Sequence, residues 1–333
     1  MFCGKQVYVA KAFTDRRRRK MEDGYHWVNS FKPSDFLVKD YRVVNHVASF
    51  GTYGRKSGQF LDPLGISSGE DFLCIADAML KTINIYNHTE NFLNNIGGGE
   101  LLNVEKINTT KERYFASVFD VTVHKPSNTI LVTDPTNKCI HALNKHGQKC
   151  DGLFAPKMKL LKSDTLAGIC VTNDGLIIVV DSECGTLYVC NKEGEIQALI
   201  GREGNQSAEF CAPQFVCWDE FNQRLLVSDT ANSRVQVLTI DGKFLFSFGS
   251  YGTEKGCFIY PSGIDVDEHG RVFVVDQGLH HIQVFDKNGD WLHTIGGPGV
   301  KDGCFHSPKS LTILPNGDLF VTDSLNCRIQ HFA

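Results

Sequence analysis

No stretch of about 18 consecutive apolar residues, the length needed to cross a bilayer as a helix, occurs in this 333-residue chain. The opening MFCGKQVYVAKAFTDRRRRK also lacks the uninterrupted apolar run of a secretory signal. The expectation is a soluble, cytoplasmic protein with no membrane partner. There are 12 cysteines but no CxxC pair, so the usual paired-cysteine zinc cross-brace has no ligands here. Most cysteines sit in or beside apolar segments, as Cys74, Cys170, Cys190 and Cys217 do. They read as reduced packing residues rather than disulfides. No glycine-rich phosphate loop leads into a helix. Charge is nearly balanced, with 34 Lys and Arg against 38 Asp and Glu and a formal net charge of −4. Nothing global draws the chain to nucleic acid or to anionic lipid, and any basic surface must be local.

Proline is scarce, at 10, while glycine reaches 31 and phenylalanine 23. That balance, with 42% hydrophobic residues, suits an all-β protein with many tight turns and a dry core. Its organisation is repetitive. An aspartate closes an apolar strand six times, at Asp77, Asp134, Asp181, Asp229, Asp276 and Asp323, with separations of 57, 47, 48, 47 and 47 residues. Repeats of this length mark propellers or solenoids. After each aspartate comes a short turn and then an alternating stretch: TINIY, CIHAL, TLYVC, RVQVL, HIQVF or RIQHF. Period-two alternation predicts strand.

Two further strands flank that hairpin. GIDVD and SLTIL precede it, and Asp241-Gly242 and Asn288-Gly289 turns lead into FLFSFG and WLHTIG after it. One four-stranded sheet cannot hide both its faces, so successive units must pack face to face around an axis. The expected fold is a six-bladed β-propeller of four-stranded antiparallel blades over residues 42–333, with residues 1–41 a flexible extension. The last unit stops at Phe332 after three strands, and RVVNHVASF at 42–50 supplies the fourth, closing the ring.

The spacing GxxGxxxGxFxxPxGIxVDxxGxxxVxDxxNxRIQxF resembles the NHL-repeat family, best known at the C-terminus of tripartite-motif proteins. It is nearly complete from Gly249 to Phe285, good from Gly296 to Phe332, and holds for Gly51 to Tyr86 and Gly201 to Leu238. The second and third units lack the glycine-rich start, and the second is ten residues longer, with LLNVEKINTTKERY inserted. In this pattern Gly51, Gly54 and Gly58, with Gly249, Gly252 and Gly256, supply positive φ between blades. Phe60, Phe210, Phe258 and Phe305 act as wedges, and Pro63, Pro213, Pro261 and Pro308 precede the inner strands. The recurrent aspartates accept amide hydrogen bonds, Asn232 and Asn326 take the left-handed turn position, and Arg234 and Arg328 pair with their aspartates.

The resemblance implies binding of a protein or an RNA hairpin on the upper rim, where the turns after each aspartate and the inter-blade crossings lie. Blade 1 would present Tyr53, Arg55, Lys56 and Lys81 there, and blade 2 Lys138. Blade 4 would add Arg202, Gln214 and Phe215. Blades 5 and 6 would add Tyr260, His280 and His281, then His306 and Lys309. Basic, amide and aromatic groups suit phosphates and unpaired bases. Yet Glu183, Glu203, Glu254 and Asp302 share those turns, which favours a protein partner over RNA. Phe215 replaces a small residue and either points to the axial opening or fills a local gap. Arg16 to Lys20 reads as a solvated segment, a nuclear-import signal or a phosphate-binding arm.

Histidines do not recur at one register of the inner strands, so no axial metal centre, no cofactor and no small-molecule substrate are expected. The functional expectation is a non-catalytic interaction scaffold. The family resemblance implies that it serves as a substrate receptor or adaptor in ubiquitin-linked, proteasome-dependent turnover through a partner, since a RING is absent. The alternative is an RNA-binding post-transcriptional regulator using the same rim.

Overall fold

The chain divides into two units, Met1–Tyr41 and Arg42–Ala333, and the second carries all of the described strands. The computed structural model describes residues 44–97, 115–150 and 165–333. The expectations for residues 1–41, for Arg16 to Lys20 and for the 101–114 insertion fall outside them.

Each repeat forms one antiparallel sheet. The innermost strands are Pro63–Ser68, Val121–His124, Leu166–Val171, Val216–Asp219, Pro261–Val266 and Pro308–Ile313. Each touches the innermost strand of the next blade, and the sixth touches the first, so the second unit is a closed six-bladed β-propeller. Five blades have four described strands. The second has three, with an isolated antiparallel bridge from Leu143 to Lys149. Closure takes the expected form: His46–Phe50 pairs antiparallel with Arg328–Phe332, His46 opposite Phe332 and Phe50 opposite Ile329. This pairing covers what would be an open sheet edge at the end of the chain.

Burial follows distance from the axis. Second strands such as Leu73–Asp77 and Val272–Asp276 are buried on both faces because blades pack on either side. The outermost strand Phe244–Phe248 alternates between half-buried and exposed, as one covered face requires. The apolar core is six clusters, one at each blade junction. Phe60, Phe210, Phe258 and Phe305 are fully buried wedges. Gly51 has φ +82°, and a Cβ on it would lie 2.4 Å from the Phe60 ring, so both the turn and the wedge require glycine.

All six recurrent aspartates are fully buried. Each joins two segments. Asp77 accepts the N–H of Leu61, before the inner strand, at 2.7 Å and that of Leu80, in the following turn, at 2.9 Å. Asp276 does the same with Ile259 and Leu279. Arg234 and Arg328 reach Asp229 and Asp323 through Nε, each at 2.8 Å. One expectation is corrected. The left-handed residue lies four after each aspartate, at Lys81, Lys138, Gly185, Ser233, His280 and Cys327, with φ between 52° and 59°. Asn232 and Asn326 come one earlier, because their side-chain amides donate to Asp229 and Asp323. Gly252 also differs from its counterparts in not taking a positive φ. The described cysteines are all free thiols.

Candidate functional site

Pro63, Pro261 and Pro308, at the start of their inner strands, stand opposite Asp77, Asp276 and Asp323. The inter-blade crossings and the turns after the aspartates therefore share one end of the ring, the upper rim.

On this rim four large apolar side chains are more than half exposed: Tyr53 is 76% exposed, Met79 64%, Tyr251 78% and Val300 70%. Tyr53 and Tyr251 occupy equivalent places, each bridging its wedge phenylalanine, Phe60 or Phe258. Pro298 holds that place in blade 6, two residues before Val300. The four side chains belong to blades 5, 6 and 1, which are consecutive around the ring. Arg55, Lys56 and Lys81 are exposed beside them in blade 1.

The remaining expected residues divide. Arg202 is exposed but engaged, its guanidinium 2.7 Å from Glu209. Lys138, Gln214 and Tyr260 are half-buried. His280, His306 and Lys309 gather where blades 5 and 6 meet. The two imidazoles lie 5.7 Å apart edge to face, and Lys309 Nζ donates to Gln277 Oε1 at 2.6 Å. His280 Nδ1 accepts the Ser307 N–H at 2.9 Å. Burial, and then the neighbouring His306, push the His280 pKa down to about 4. Burial alone does the same for His281, whose Nε2 has no hydrogen-bond partner. Neither histidine carries charge at neutral pH, so neither adds positive charge to the rim. Phe215 is buried, not presented. Its ring packs on Phe119 at 5.6 Å, and it passes so close to Gly168 that a Cβ there would meet the Phe215 Cα at 2.6 Å.

Two sequence features needed the structure to be weighed. Gly65 to Gly69, GISSG, has the spacing of a nucleophile elbow. However, Ser67 lies inside an innermost strand and its hydroxyl accepts the Val123 N–H, so it is not set on a strand-to-helix turn. Second, Asp134, Cys139 and His141 bring their ligand atoms within 4.8 Å of one another, the one such trio among the described residues. Its only trace in the sequence is a Cys-x-His on the strand after the second recurrent aspartate, a spacing with no established reading by itself.

Residues 258–285 and 305–332 match the NHL repeat. The chain thus carries NHL repeats within a six-bladed β-propeller ring. No curated protein sequence matches it. Among solved structures it is similar to a streptogramin B lyase, at 14% identity, TM-score 0.57, 86% of this chain and 96% of that one. It is also similar to a gluconolactonase from Xanthomonas campestris, at 16% identity, TM-score 0.60, 88% and 99%. The WD40 propeller domain of Doa1 follows at 10% identity, TM-score 0.56, 88% and 98%. At these identities the likeness is one of fold, shared by enzymes and by a WD40 domain alike.

Proposed function

We propose that this chain is a non-catalytic interaction scaffold that captures a protein partner on its upper rim. The observation that carries the reading is the run of exposed Tyr251, Val300, Tyr53 and Met79 across three consecutive blades. Large apolar groups held in water on rigid turns gain most by being covered, and aromatic anchors of this kind dominate protein interfaces. Neutral His280 and His281, together with exposed Glu203, Glu254 and Asp302, make the rim a weaker ligand for phosphate than its basic residues suggest. Recruitment of the captured protein to ubiquitin-linked turnover is part of the proposal and is supported by the family resemblance.

The test is capture from cell lysate, with and without ribonuclease, by the parent chain and by a Tyr53→Ala, Tyr251→Ala variant. The expected result is a discrete set of proteins, insensitive to ribonuclease and lost in the variant at unchanged melting temperature. Recovery of RNA that falls steeply with salt and disappears with Arg202→Glu and Lys309→Glu would replace this reading with the RNA-binding one. Equal capture by the Tyr53→Ala, Tyr251→Ala variant would remove the site from this part of the rim.

A further inference from the structure

We propose that Asp134, Cys139 and His141 form a binding site for a divalent transition metal, zinc being the ion their chemistry suits best. Blades 4 and 6 provide the comparison. There the positions five and seven after the recurrent aspartate are Arg and Gln, and both bind the carboxylate. Arg234 Nε and Gln236 Nε2 lie 2.8 and 3.1 Å from Asp229 Oδ2, and Arg328 Nε and Gln330 Nε2 lie 2.8 and 3.0 Å from Asp323 Oδ2. In blade 2 both positions change together, to Cys139 and His141. The buried carboxylate loses its guanidinium and gains a sulfur and an imidazole nitrogen.

Two of the three ligand–ligand distances match the edges of a tetrahedral site, and the third, from Cys139 to Asp134, is no longer than 4.8 Å. His141 Nε2 is 3.1 Å from Asp134 Oδ2, and Cys139 Sγ is 3.5 Å from His141 Nε2. Zinc held at about 2.3 Å from sulfur and about 2.0–2.1 Å from nitrogen and oxygen sets N–O and S–N edges of about 3.3 and about 3.5 Å. Asp134 is already oriented: Ala116 N–H and Asn137 Nδ2 donate to Oδ2, each at 2.9 Å, and Ser117 N–H donates to Oδ1 at 3.0 Å. Such outer contacts fix a carboxylate ligand in place. A carboxylate, a thiolate and a neutral imidazole together balance a dication, which replaces the arginine charge of blades 4 and 6. On binding, the Cys139 thiol loses its proton to solvent, and the imidazole carries its proton on Nδ1 while Nε2 takes the metal.

The test is metal analysis of the full chain after zinc loading and gel filtration. A Cys139→Arg, His141→Gln variant copies blades 4 and 6 and so should fold. About one zinc per chain is expected in the parent, binding about tenfold more weakly per unit fall in pH as the thiol proton competes. The double variant should bind at least about 100-fold more weakly at an unchanged melting temperature. Cobalt should give a thiolate-to-metal charge-transfer band in the parent alone. Absence of stoichiometric metal in a folded parent would overturn the proposal, as would zinc retained by the double variant. Should the double variant fail to fold, His141→Gln alone, which restores the glutamine of blades 4 to 6, decides by the same readouts.

Discussion

The carboxylate of Asp120, on blade 2, accepts the backbone N–H of Ile169, on the innermost strand of blade 3, at 2.9 Å. That strand is the last of its sheet, so its outward amides have no strand partner. Side chains from the preceding blade supply one: Asp265 Oδ2 accepts from Ile313 N–H at 3.0 Å, and Ser67 Oγ from Val123 N–H at 3.2 Å. The blades are thus tied to one another by polar bonds as well as by apolar packing. Burial raises the pKa of Asp120 to about 7 and also raises that of Asp265.

Between about pH 4 and about pH 7 the folded chain keeps a proton on Asp120 that the unfolded chain has lost, so stability declines as pH rises through that window and levels above it. Asp265 acts in the same direction, and the nearby Cys74 and Cys170 thiols, pushed up by burial and by Asp120, stay neutral throughout. Asp120→Asn retains an oxygen for the Ile169 N–H without the charge. Its melting temperature at pH 7.5 should rise by about 2–3 °C, a gain of one to two kcal/mol in a domain of this size. Its melting curve against pH should be flatter than the parent's. Parallel curves for the two proteins would show that Asp120 does not titrate in this range.

The ring, the blade hairpins and the closing strand were legible in the sequence because each is written six times or completes a sixfold count. What was not legible depends on neighbours that lie far apart in the chain. The turn was misplaced by one residue because Asn232 spends its amide on Asp229, which passes the left-handed conformation to Ser233. That Phe215 is buried depends on Phe119, 96 positions earlier, on which its ring packs. The neutrality of His280 and His281 comes from burial between blades, which no local pattern encodes.

Ring closure makes a strong asymmetry between two truncations. Removing residues 42–50 strips His46–Phe50 from Arg328–Phe332 and removes Phe50 from its contact with Tyr86, whose ring centroid is 4.8 Å away. Thermal melting should show a fall of more than about 10 °C, since lost pairing and lost aromatic burial together exceed several kcal/mol. The exposed edge should also bring concentration-dependent association on gel filtration. Removing residues 1–35 takes away none of these contacts and should leave the melting temperature within about 2 °C, the range of a surface change.

The left-handed turn position offers a finer test. Lys81 has φ +58°, and its N–H bonds the Asp77 carbonyl at 2.8 Å. Glycine adopts that conformation without strain, so Lys81→Gly should raise stability by up to about 1 kcal/mol in urea unfolding, the greater freedom of the unfolded chain offsetting part of the gain. A β-branched side chain clashes there, and Lys81→Val should cost about 1–2 kcal/mol. The reverse order would mean that the lysine side chain, rather than the backbone, governs the turn.

The recurrent aspartates and their arginines should contribute unequally. Asp229 receives Cys211 N–H at 2.7 Å, the Asn232 amide at 2.9 Å, Arg234 at 2.8 Å and Gln236 at 3.1 Å. Asp229→Ala abandons all four donors, most of them cut off from water, and should cost about 3–5 kcal/mol. Arg234→Met leaves the carboxylate its three other donors and keeps the apolar stem, so its cost should be about 1–2 kcal/mol. A double-mutant cycle by urea unfolding separates the pair, and the second substitution should cost less in the Asp229→Ala background than alone. Equal single costs would assign the stability of the turn to the ion pair and not to the aspartate as a hub for backbone amides.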